Sequence, residues 1–175
     1  MTVIDREEIK QLRYINHYPS ALIGQVKKLI NDATLDEYLR NKYPCQHQIK
    51  SEKQLYEYTL TLKGRYIKQS NPLSKVLYDP KLHIYNNALG THCYVSRVQG
   101  GKLKSKQEIR IASLFKKAPI EMLKMIVVHE LAHLKEKQHN KAFYHLCEYM
   151  EPNYHQLELD TRLFLIHNEL FGDLY

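Results

Sequence analysis

His129 and His133 stand four residues apart in the stretch VVHELAHLKEKQHNKAFYHL, Val127 to Leu146, with Glu130 directly after the first. On an α-helix that spacing leaves the two imidazoles about 40° apart around the axis and about 6 Å apart along it, so both reach one ion. The pattern is HExxH, in which two neutral imidazoles hold Zn²⁺ and the carboxylate activates water. Buried without a partner, the same three side chains would be costly to desolvate.

A Zn²⁺ site that keeps an open catalytic position takes three protein ligands. His139 follows His133 by six residues. On an unbroken helix it would lie about 240° round and about 9 Å further along, out of reach. The chain must therefore leave the helix within Leu134 to Gln138. In the related pattern HExxHxxGxxH a glycine makes that exit, but Glu136 stands at the matching position here, so a turn of another shape is required. The spacing favours His139 as third ligand, with a carboxylate from a later helix, Glu151 or Glu158, as the alternative. For His92, His145 and His155 a surface or packing role is the expectation.

The elements that must position these residues read as follows. PSALIGQVKKLIN, from Pro19 to Asn31, is an amphipathic helix, and residues 33 to 41 form a second short one. Ser51 with Gln54 three residues on is a capping box opening a helix with Leu55, Leu62 and Tyr66 on one face. Around Asp79-Pro80-Lys81, β-formers suggest a turn folding Val76 to Tyr78 back onto Leu82 to Tyr85. HCYVSRV, a loop at Gly100-Gly101 and EIRIASLF make a second hairpin, with Ile109, Ile111 and Ser113 alternating. PIEMLKMIVVHELAHLKEK is apolar around most of its circumference, as a buried helix should be, and Pro119 suits its first turn. Asn140 caps a further helix to about Met150, Glu151-Pro152 breaks it, and a last helix covers about 155 to 170. The expected class is α+β, with N-terminal helices, a small mainly antiparallel sheet, an active-site helix and C-terminal helices.

At 175 residues and 43% apolar content the chain suits one domain, 1–175, helical to about 70 and carrying the sheet and metal motif from about 71. Cys45, Cys93 and Cys147 form no CxxC pair, so neither a disulfide framework nor a cysteine zinc knuckle is indicated. The charged N-terminus and the lack of a long apolar run point away from export and from membranes, hence to the cytoplasm. Net charge is +7, which permits an acidic partner such as nucleic acid. The densest basic run, Lys102, Lys104, Lys106, Arg110, Lys116 and Lys117, holds one aromatic, Phe115, and none before it, and a solvated hairpin explains it equally well.

On these residues the chain resembles the YgjP-like metallopeptidase family. The likeness is carried by MIVVHELAHLKEKQHNKAFYHL, extends upstream through NALGTHCYVSRVQGGKLKSKQEIRIASLFKKAP and continues downstream in MEPNYHQLELDTRL. SprT-like and WLM-type DNA-linked proteases have a similar HExxH with a histidine six residues later. The resemblance implies a zincin-like metalloprotease fold, His129, His133 and His139 as ligands of Zn²⁺, and Glu130 as general base. Many members carry an RWGSC-like stretch where this chain has Arg97-Val98-Gln99-Gly100-Gly101, so no role is carried over to that loop.

The expected reaction is hydrolysis of a peptide bond in a peptide or protein substrate by metal-activated water, with Glu130 moving the proton. A strand at the sheet edge, 108 to 114, is the expected partner for an extended substrate. Tyr144, Tyr154, His155 and Arg97 are candidate oxyanion donors. Asp160 and Glu158 are candidates to hold the imidazoles through their other nitrogen. The alternatives are a DNA-associated protease of SprT-like or WLM type and a non-catalytic zinc-stabilised adaptor.

Overall fold

One of the three helix starts in the first third is set by side-chain capping. The computed structural model describes residues 12–82, 90–99 and 102–175, with 90–99 and 102–106 described by their backbone alone. After a short 3₁₀ turn at Leu12–Tyr14 come α1 (Ser20–Asn31), α2 (Leu35–Lys42) and α3 (Glu52–Tyr66). The capping box at α3 forms as expected: Ser51 Oγ accepts the Gln54 N–H at 3.2 Å, and Gln54 Oε1 accepts the Ser51 N–H at 3.0 Å. Leu55 and Leu62 are buried and Tyr66 packs against the same core.

Three strands follow, β1 (Leu73–Asp79), β2 (Gly90–Gln99) and β3 (Lys102–Ala112), in the order β1-β3-β2. The second hairpin is as expected, β2 and β3 being antiparallel with Gln99 opposite Lys102. The first is not. Asp79 does make its turn, accepting the Lys81 N–H at 2.8 Å, but β1 pairs in parallel with β3; Leu82 is outside any strand, and residues 83–85 of the expected return strand lie outside the described residues. The sheet is therefore mixed rather than mainly antiparallel. In the parallel register Val76 faces Ile109 and Tyr78 faces Ile111, and all four are buried. Ser113 falls in the 3₁₀ turn Ser113–Lys117 instead of continuing the strand.

The chain then forms α4 (Ile120–Ala132), α5 (Lys141–Met150) and α6 (Tyr154–Phe171). Met122, Leu123, Met125, Ile126, Val127, Val128, Leu131 and Ala132 are all at most 1% exposed, so α4 is buried on nearly every face. It packs on α3, α5, α6 and on strands β2 and β3, and each fully buried aliphatic side chain there contributes about 1.5–3 kcal/mol. Close packing on so many sides holds α4 in place. No helix among the described residues is long and apolar enough to cross a membrane.

Two polar ties join the N-terminal helices to this core. Asp160 on α6 is fully buried and accepts from Tyr38 (3.0 Å), Tyr43 (2.6 Å), Lys42 (2.6 Å) and Gln156 (3.1 Å). His47 lies with Nε2 2.7 Å from the Phe115 carbonyl, to which it donates, and its Nδ1 accepts the Ile49 N–H at 3.0 Å. Buried polar groups need such partners, and here they are found between elements distant in sequence.

Candidate metal centre

The fixed position of α4 is inherited by His129 and His133, whose ring centroids lie 5.0 Å apart on its last turn. The exit that follows uses no left-handed residue: Ala33 alone among described non-glycine residues has positive φ. Instead Leu134 and Lys135 donate to the carbonyls of Leu131 and Ala132, three residues back, both at 3.0 Å. This tightens the helix end into 3₁₀ geometry and turns the chain away without a glycine. Asn140 then opens α5, its Oδ1 accepting the Phe143 N–H at 2.9 Å.

That arrangement swings His139 back over α4. Its ring centroid is 5.0 Å from that of His129 and 4.8 Å from that of His133, and one nitrogen of each imidazole lies within 4.8 Å of the others. Phe143, fully buried, forms the floor, at 4.9, 4.6 and 4.7 Å from the three rings in turn. Nε2 of His139 is 3.1 Å from Nε2 of His129. Ligands about 2.0–2.1 Å from a tetrahedral ion stand about 3.3 Å apart, so this pair already has nearly the separation that Zn²⁺ asks for.

Electrostatics agree with the geometry. Burial, aided by the neighbouring His133 and His139, pushes the His129 pKa down to about 3. Burial also lowers that of His133, against the raising effect of its bond to the Glu136 carbonyl. Both rings are thus neutral near pH 7, the state in which imidazole offers a lone pair. Glu130 is 1% exposed, and burial pushes its pKa up to about 8. Its Oε2 has no hydrogen-bond partner within the protein. A buried carboxyl without partner is expensive, and a cation or a polar ligand at the site relieves that cost. The donor set and the orphaned oxygen fit a metal ion.

The other residues singled out from the sequence fall elsewhere. Glu151 is paired with Lys124 at 2.5 Å and accepts the Asn153 N–H, and Glu158 pairs with Arg162 at 2.7 Å; neither joins the three imidazoles. Asp160 is committed to the tie with α2, so it does not hold a histidine either. The groups that do are Tyr154, whose hydroxyl is 2.7 Å from His129 Nδ1, and the Glu136 carbonyl, 3.0 Å from His133 Nδ1. Tyr154 is fully buried in that role, which removes it from the oxyanion donors. His155 pairs with Glu148 at 3.1 Å, Tyr144 remains close, its ring 6.4 Å from that of His139, and the Arg97 and His92 side chains lie outside the described residues. The expected substrate edge is also corrected: β3, which holds 108–112, is paired on both sides, so the outer strands are β1 and β2. Phe143 and Tyr154 carry no motif. The only hint of the first was Asn140, whose cap places the residue three positions on.

Two imidazoles on one helical turn, a third from the loop beyond and a buried glutamate between them form the core arrangement of metal-dependent HExxH hydrolases. The sequence profile of the YgjP-like metallopeptidase domain matches residues 95–162. The chain is 55% identical over 157 residues, 90% of its own length and 94% of the relative's, to a protein of Escherichia coli (strain K12) named UTP pyrophosphatase. It belongs to the YgjP-like family. No solved structure matches it.

Proposed function

We propose that the chain is a single-domain, zinc-dependent hydrolase of zincin-like fold that cleaves a phosphoanhydride bond of UTP or a related nucleoside triphosphate. His129, His133 and His139 hold the ion, and Glu130 is the general base. The observation that carries the hydrolase reading is the convergence of three imidazole nitrogens within 4.8 Å around a helical turn that also bears a buried carboxylate. The substrate is inferred from the name of the relative from Escherichia coli. The net charge of +7 and the exposed Lys137 and Lys141, next to His139 in the sequence, support an anionic substrate. A nucleotide substrate also accords with the cytoplasmic location expected from the sequence.

Zn²⁺ held there supplies a Lewis acid for a phosphoryl oxygen and lowers the pKa of water from about 16 to about 7. A cation on the three imidazoles would favour the ionised form of Glu130 against the raising effect of burial, and the carboxylate would then take the proton that the attacking water loses and pass it to the departing group. Its Oε2, having no protein partner, is available to do so. With UTP the water oxygen joins the α-phosphorus, the anhydride bond to the β-phosphate breaks, and UMP and pyrophosphate leave.

Peptide-bond hydrolysis is the second reading, favoured by the description of the family as a metallopeptidase domain. An extended peptide would need an open strand edge, and β2, which packs against α4, is an outer strand. The zinc-loaded chain should release UMP and pyrophosphate from UTP, followed by ³¹P NMR, and Glu130→Gln should not. Cleavage of quenched fluorescent peptides by the parent but not by Glu130→Gln, with UTP left intact, would replace the first reading by the second.

A further inference from the structure

Among the described residues, three rings other than histidine lie against the imidazoles of the metal centre: Phe143, Tyr154 and Tyr144. Phe143 and Tyr154 are fully buried, one beneath the three histidines and one beside Nδ1 of His129. Neither offers a face to a molecule that enters the site. Tyr144 differs. It is only half-buried, and its ring lies 6.4 Å from that of His139, the exposed member of the three, inclined to it by 33°.

The Tyr144 ring is also held in place. Phe143 meets it edge-on at 5.3 Å, Tyr154 lies at 6.4 Å, and His155 at 5.5 Å with an inclination of 35°. His155, more than half exposed, is tied to Glu148 at 3.1 Å across the corner between α5 and α6. Neighbouring rings thus lead from His139 through Tyr144 to His155. A side chain restrained by its neighbours in this way has little freedom left to lose when a ligand covers the part still open. Lys141, three residues before Tyr144 and so on the same side of α5, is exposed.

We propose that Tyr144, backed by His155, is the surface on which the base of a nucleotide substrate stacks while its phosphates lie at the metal centre. The proposal rests on the reading of the chain as a nucleotide hydrolase, and it adds the part of the site that tells a nucleotide from a bare polyphosphate. A single sugar joins base and phosphates, so the group that receives the base must stand beside those that receive the phosphates. Tyr144, next to His139 and on the same helix face as Lys141, meets that condition. Every base has a π face to stack. The assignment therefore concerns nucleotides as a class, and a preference for uracil is left to other groups.

Calorimetric titration of the zinc-loaded chain with two ligands tests this. One is the α,β-methylene analogue of UTP, in which carbon replaces the anhydride oxygen proposed to be cut; the other is inorganic tripolyphosphate, which has no base. Tyr144→Leu should weaken the analogue about tenfold or more and leave tripolyphosphate within about threefold of the parent, whereas Tyr144→Phe should bind both as the parent does. In the parent complex, nuclear Overhauser contacts should join the Tyr144 ring to the carbon-bound protons of the uracil ring, a readout that stands even if Tyr144→Leu does not fold. Absence of those contacts, or undiminished affinity of Tyr144→Leu for the analogue, overturns the stacking surface and leaves the nucleotide reading in place. So does an equal loss of both ligands, which marks a packing effect on the loop bearing His139, or a Tyr144→Phe as weak as Tyr144→Leu, which marks a hydroxyl contact. A parent chain that does not bind the analogue at all removes the nucleotide reading, and the stacking surface falls with it.

Discussion

Tyr43 donates its hydroxyl to Asp160 over 2.6 Å, joining two residues 117 positions apart in the chain. With Lys42 on the same carboxylate oxygen, the bond fastens the chain just after α2 to the helix whose first residue holds His129. Removing a buried carboxylate that four donors surround strands those donors. Asp160→Ala should therefore cost about 3–5 kcal/mol, read as a lower urea midpoint. Folded Asp160→Ala protein at low temperature should still take up Zn²⁺, since the carboxylate does not reach the three imidazoles; a stability within error of the parent would contradict the tie.

Glu130→Gln keeps the shape of α4 and removes the proposed base. Zinc content should remain at the parent's level while turnover falls by about 10²–10⁴-fold. His133→Ala should lose both. Metal analysis beside a turnover assay separates the two, and undiminished turnover in Glu130→Gln would reject the assigned base.

Asn140 works through position alone. Its side chain caps α5, and the residue before it is His139. Asn140→Ala should lower stability by about 1 kcal/mol, seen in thermal unfolding, and should also weaken Zn²⁺ binding because the loop bearing the third imidazole loses its anchor. Asn140→Asp, an equally good cap, should restore both.

His47 gives a pH dependence of known sign. Burial lowers its pKa despite the raising effect of the Phe115 carbonyl, and protonation would cost it the hydrogen bond accepted from Ile49. Below about pH 6.5 the unfolded chain binds a proton that the folded chain refuses. The stability present above that pH is therefore lost as pH falls. His129 and His133, also lowered, act in the same sense. Denaturant unfolding from pH 7.5 to 5 should show a shallower fall for His47→Gln than for the parent; equal slopes would show that His47 ionises in the fold as freely as in the open chain.

What the sequence made legible was local. Ser51 with Gln54, Asn140 and the apolar run before His129 each write their element within a few residues, and the HExxH spacing needs only helix geometry. The partner of β1 was not legible, because Val76 and Tyr78 alternate identically whichever strand they face. Nor was the support of the imidazoles: a backbone carbonyl at Glu136 has no side-chain signature, and a tyrosine at a helix start has many commoner uses. The glycine-free exit after His133 was deducible as a need, but not as the 3₁₀ turn that meets it.

The three imidazoles are unequally mounted: two share a helix turn packed into the core, while the third sits on an exposed segment between two helices. A cation held by all three would be captured first by the fixed pair and clasped afterwards. Its departure would begin with the outer ring letting go, so exchange rates should answer to changes in the connecting loop long before equilibrium affinity does.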